Sequence, residues 1–128
     1  FSCALDPAVT GGMVKVIELA GTPLGYERRA RLHANAAYFR NLLKGKVNLG
    51  VSDAWVVIVN FGSEKKTLEL NDYLQKTGLD TSIIQFPAVP KNDARIRMFV
   101  TSEHTQEQLA KAAEIILSAA DKFDFLLK

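Results

Sequence analysis

Apolar residues recur along this chain with two different periods, and the changes of period mark out its elements. Pro7 opens a helical stretch that runs to Ala20, weakened by Gly11-Gly12 and ended by Gly21-Thr22-Pro23. A second helix is predicted over residues 24–44, where Leu32, Ala36, Phe39 and Leu43 fall at helical spacing and Gly45 stands where a C-terminal cap belongs. Arg28 and Arg31 lie off that apolar stripe and read as part of a solvated face.

Residues 54–61 read Ala-Trp-Val-Val-Ile-Val-Asn-Phe, a β-rich and mostly apolar run that predicts an interior strand buried on both faces. Ser63 can cap a third helix continuing to about Lys76, with Leu70 and Leu74 inward and Gly78 as its stop. Two more strands are predicted over residues 81–86 and 94–101, joined by a loop at 87–93 that two prolines stiffen. In the last helix Leu109, Ala112, Ala113, Ile116, Leu117, Ala120 and Phe123 mark one face, and Thr105 followed by Gln108 has the form of a capping box that fixes its start. The expected fold class is α+β: a small antiparallel or mixed sheet of about three strands packed by helices. No repeat or low-complexity tract divides the chain, so residues 1–128 read as a single domain, with lead-in helices over 1–45 and the α+β unit over 46–128.

Composition narrows the function classes. A chain of 128 residues, 48% hydrophobic and 23% charged, can bury roughly two thirds of its unfolded surface, so it has a core without disulfides or a structural metal. The formal charge is +2, with bases and acids interleaved, which is no electrostatic footprint for nucleic acid. No apolar run approaches the roughly 20 residues of a membrane-spanning helix. The lone thiol of Cys3 suits a reducing compartment, so the cytoplasm is the expected location. The opening on Phe1, rather than on Met, reads like the middle of a longer protein.

The inventory for chemistry is short. His33 and His104 have no carboxylate or cysteine at ligand spacing, which argues against a zinc site and against a nucleophilic triad. His104, just before a helix, reads as structural, because a helix N-terminus disfavours the imidazolium. Gly11-Gly12 lacks both the lysine and the preceding strand of a phosphate loop. What stands out is Arg95 and Arg97, separated by Ile96. On a strand, both guanidinium groups share one face while Ile96, Met98 and Val100 share the other. Either both arginines pair with acidic side chains or reach solvent, or one of them meets an anion, for which the planar fork of a guanidinium suits a carboxylate.

The string Phe86-Pro87-Ala88-Val89-Pro90, then Ala94-Arg95-Ile96-Arg97, then His104-Thr105, resembles the end of the α-oxoamine synthases, a family of fold-type I pyridoxal-phosphate enzymes. Phe1-Ser2, Leu5 and Pro7-Ala8 are similar to the family's segment downstream of its cofactor lysine, and Glu27-Arg28-Arg29, Leu32, Asn35, Tyr38 and Leu43 to its helix leading into the small domain. The resemblance thus spans nearly the whole chain. It departs at Ala4, where many members carry a hydroxyl, and at Val57 or Ile58, where a proline is common.

The resemblance implies the C-terminal domain of an enzyme that condenses an amino acid with an acyl-CoA, usually with decarboxylation, to give an aminoketone. The family includes glycine C-acetyltransferases, 8-amino-7-oxononanoate synthases, 5-aminolevulinate synthases and serine palmitoyltransferases. It implies pyridoxal 5'-phosphate as cofactor of the full-length enzyme, acting as an electron sink. By position, Arg97 would bind the amino acid's carboxylate, and Ser2 would reach the cofactor phosphate, typically across the interface of a homodimer. The cofactor lysine would lie upstream in a large catalytic domain, leaving no catalytic residue in this chain and the fragment inactive alone. A non-catalytic subunit or interaction domain of the same fold, and a free-standing small-molecule-binding domain, are the alternatives.

Overall fold

The computed structural model describes residues 4–51 and 53–127. Each helix begins where a side chain can satisfy the backbone N–H groups that have no partner in the first turn. The Asp6 carboxylate accepts from the N–H of Ala8 at 2.8 Å and of Val9 at 3.0 Å, starting α1 (Pro7–Ala20). Thr22 caps α2 (Pro23–Leu43), accepting from Gly25 N–H at 3.3 Å. Ser63 caps α3 (Glu64–Lys76). The capping box forms in full at α4 (Gln106–Lys122): Gln108 N–H donates to Thr105 Oγ1 at 3.2 Å, and Thr105 N–H donates to Gln108 Oε1 at 2.9 Å. Beyond α2, Gly45 sits at a φ of 75°, in the left-handed region a helix stop uses.

The strands β1 (Val56–Gly62), β2 (Ser82–Ile84) and β3 (Ala94–Phe99) form one antiparallel sheet in the order β1-β3-β2. This corrects the sequence reading of residues 54–61. That run is an edge strand, not an interior one, and its burial alternates, with Val57, Val59 and Phe61 buried and Val56, Ile58 and Asn60 half-buried. Its outward apolar residues are explained by the preceding loop, which folds back over them. Asn60 N–H donates to the Asn48 carbonyl at 2.8 Å, and a Cβ on Gly50 would lie 3.2 Å from Ile58 Cδ1. The central strand is β3, which carries both arginines on its outward face.

The inner face of the sheet builds the core. Val57, Val59, Ile96 and Met98 pack with Phe39 and Leu43 of α2, Leu70 and Leu74 of α3, and Leu109, Ala113 and Ile116 of α4. The helix α1 packs against α2 and has no buried residue; Val9, Met13, Val16 and Ile17 are each more than half exposed. No described helix is long and apolar enough to cross a membrane.

One buried polar side chain ties α2 to the approach of α4. Asn35 Nδ2 donates to the carbonyls of Thr101 at 3.0 Å and His104 at 2.8 Å. Removing it strands those two acceptors, so Asn35→Ala should destabilise the domain by about 1–3 kcal/mol in urea unfolding. A change below about half a kcal/mol would mean that water replaces the amide without cost.

Candidate functional site

The outward face of the sheet is where charge and unsatisfied hydrogen-bonding capacity coincide. Antiparallel register places Arg97 between Ile58 on β1 and Ser82 on β2, and Arg95 between Asn60 and Ile84. Two residue steps along the strand, about 7 Å, separate the arginines, so the two side chains are near neighbours on one face.

Their environments differ. Arg95 is neutralised from within: its Nε donates to the Asp93 carbonyl at 3.2 Å, and its Nη2 pairs with the Asp93 carboxylate. Arg97 has no carboxylate partner among the described residues. Its Nη2 donates to Ser82 Oγ at 3.0 Å, and its Cζ lies 5.5 Å from the centroid of the Phe99 ring. Neither contact cancels its charge. Its Nε is buried with no hydrogen-bond partner among the described residues. A buried N–H on a charged group is costly to leave unmade, and a carboxylate presenting two oxygens is the acceptor that matches its fork.

Strand alternation therefore holds as expected: Arg95 and Arg97 share the outward face, and Ile96 and Met98 are buried. Of the two sequence readings of the pair, Arg95 follows the one with an acidic partner, whereas Arg97 has no carboxylate partner among the described residues. The same alternation extends to Asp93 and Phe99, two residues to either side of the arginines, and could have found both. Ser82 is different, because only the pairing of β2 with β3 brings it to Arg97. Ser2, the second predicted site residue, lies outside the described residues.

The histidines are structural in their contacts. His104 Nδ1 accepts from Thr101 N–H at 3.0 Å, closing the turn before α4, and His33 meets the Trp55 ring edge-on with centroids 6.0 Å apart. Among the described residues, no group of three His, Cys, Asp or Glu side chains converges as metal ligands would. No lysine occurs among the strand residues on the Arg97 face, which are Val56, Ile58 and Asn60 of β1, Ser82 and Ile84 of β2, and Arg95 and Phe99 of β3.

No protein-family model matches the chain. In sequence it is similar to the 8-amino-7-oxononanoate synthase of Alkaliphilus oremlandii, 35% identical over 127 residues, which is 98% of this chain and 32% of the relative. It is also similar to that of Treponema denticola, 38% identical over 117 residues, 90% of this chain and 29% of the relative. In fold it is similar to a serine palmitoyltransferase from S. paucimobilis solved with a bound PLP–myriocin aldimine, with a TM-score of 0.88 at 24% identity over 97% of this chain and 31% of that one. An 8-amino-7-oxononanoate synthase from Francisella tularensis superposes with a TM-score of 0.73 at 22% identity, over 95% of this chain and 35% of that one. The chain spans about a third of the length of the relatives it matches. Matching sequence over nearly the whole chain, together with a matching fold, makes this chain an α-oxoamine synthase C-terminal domain by family.

Proposed function

We propose that this chain is the C-terminal part of a pyridoxal-phosphate-dependent acyltransferase, which condenses an amino acid with an acyl-CoA, usually with decarboxylation, to give an aminoketone. The observation that carries the reading is the contrast on one strand between a neutralised Arg95 and an Arg97 whose buried Nε is unpartnered. An arginine in that state fits the carboxylate of an amino acid substrate, held by paired N–H···O bonds.

In this reading the bound cofactor supplies an electron sink for the carbanion at the amino acid's α-carbon. The chain's own contribution is binding and orientation. Arg97 fixes the carboxylate and so sets which substituent of the α-carbon faces the reacting groups. The Phe99 ring, 5.5 Å from its Cζ, shields one side of the guanidinium from water. Ser2 would reach the cofactor phosphate, across the interface of a homodimer. In this reading the cofactor lysine would lie outside the matched third, and a cytoplasmic setting suits the lone Cys3.

The division of labour is testable. The 128-residue chain, mixed with pyridoxal phosphate, should gain no stoichiometric visible absorbance and should release no free thiol from an acyl-CoA and an amino acid. The protein carrying the preceding catalytic part should do both. A one-to-one Schiff base that borohydride fixes onto a single lysine of this chain would overturn the assignment.

A further inference from the structure

The outward sheet face contains a second residue whose only evident work is on Arg97. Arg97 is a long side chain on a central strand, with rotamer entropy to lose when it is held in one place. Three features hold it: the strand beneath it, the Phe99 ring, and the hydroxyl of Ser82, which stands directly opposite on β2 and accepts from Nη2 at 3.0 Å. Ser82 is half-buried on a three-residue strand and makes no other side-chain hydrogen bond among the described residues. It is neutral, so it fixes the guanidinium without consuming its charge. Asp93 does the opposite to Arg95, anchoring and neutralising it together.

We propose that Ser82 is a positioning residue for Arg97: its hydroxyl selects the orientation in which the buried Nε–H and the rest of the fork face an incoming carboxylate. The inference rests on the assignment of Arg97 to the substrate's carboxylate, and it names a determinant of affinity for carboxylate-bearing amines. Ser82→Ala removes the acceptor and leaves the charge. Ser82→Thr keeps an Oγ on a residue that a strand accommodates well.

The test uses the cofactor-loaded full-length protein and reads amine binding from the cofactor's absorbance. Glycine, L-alanine and L-serine are compared with methylamine, ethylamine and ethanolamine, their counterparts without the carboxylate. Ser82→Ala should weaken binding of the amino acids about tenfold, the scale of one hydrogen bond to a charged group. It should leave the simple amines within about twofold of wild type, and Ser82→Thr should restore amino acid binding. In the unloaded protein, the Nε–H proton of Arg97 should exchange with water faster in Ser82→Ala, as seen by NMR. Should Ser82→Ala not fold, Ser82→Cys, close in size and a weak acceptor, takes its place.

Unchanged amino acid binding in Ser82→Ala, with Arg97→Ala strongly impaired, overturns the positioning role and leaves the assignment of Arg97 standing. Equal loss for amino acids and simple amines overturns it too, because the effect would then be structural. If Arg97→Ala also binds amino acids normally, the assignment of Arg97 fails and the role of Ser82 fails with it.

Discussion

Arg97→Ala, made in the cofactor-loaded full-length protein, should weaken amino acid binding roughly 30- to 1,000-fold, whereas Arg95→Ala should change it by less than about fivefold. The asymmetry follows from what each guanidinium already holds. Arg97 meets a hydroxyl and an aromatic ring, and among the described residues neither its charge nor its buried Nε–H meets a carboxylate. A desolvated guanidinium–carboxylate pair is among the stronger polar contacts a protein makes, and truncating one side leaves the other buried without a partner. Arg95 is spent on Asp93, in a pair whose side chains are 21% and 41% exposed. Such a pair contributes about 0–1 kcal/mol, and its loss is felt locally. Arg97→Lys should recover only part of the affinity, since an ammonium keeps the charge and loses the planar two-point contact. The measurement is the amino acid dissociation constant for each single variant, from the cofactor's absorbance change. Greater damage from Arg95→Ala, or none from either, would reduce the Arg-Ile-Arg string to a surface feature of the sheet.

Ile116→Ala should cost about 2–5 kcal/mol of folding stability. Ile116 lies mid-way along α4, is 1% exposed, and belongs to the cluster that contains Val59 and Ile96 of the sheet's inner face and Leu70 of α3. Alanine there removes three carbons from a close-packed interior, and the surrounding side chains come from three helices and two strands that cannot all move inward. The free-energy difference is read from urea unfolding, with the slope of the transition checked for constancy. A loss below about half a kcal/mol would mean that this face of α4 is not the buried one.

Local signals in the chain proved reliable wherever a few neighbouring residues decide the outcome. The Thr105–Gln108 capping box, the Ser63 cap and the Gly45 stop are all contained within a turn or so of backbone, and each forms as its residues predict. The alternation of β3 is equally local: successive side chains of a strand point to opposite faces, so Arg95 and Arg97 had to share one. Residues 54–61 mislead because a mostly apolar, β-rich run reads as an interior strand buried on both faces. Among the described residues one edge of β1 pairs with no strand, and the loop around Asn48 and Gly50 lies against Ile58 on its outward face.

The α+β class, the order of the helices and strands, the inward faces of the helices and the presence of two guanidinium groups on one sheet face were legible in the sequence. The tertiary structure shows which of those two holds a carboxylate partner. That choice depends on the register of β2 against β3, which sets Ser82 opposite Arg97, and on the turn at Asp93, which folds a carboxylate onto Arg95. Strand order and register come from pairings between segments more than ten residues apart. Their energies depend on the whole core closing around them, and no window of sequence short enough to read by periodicity contains that information.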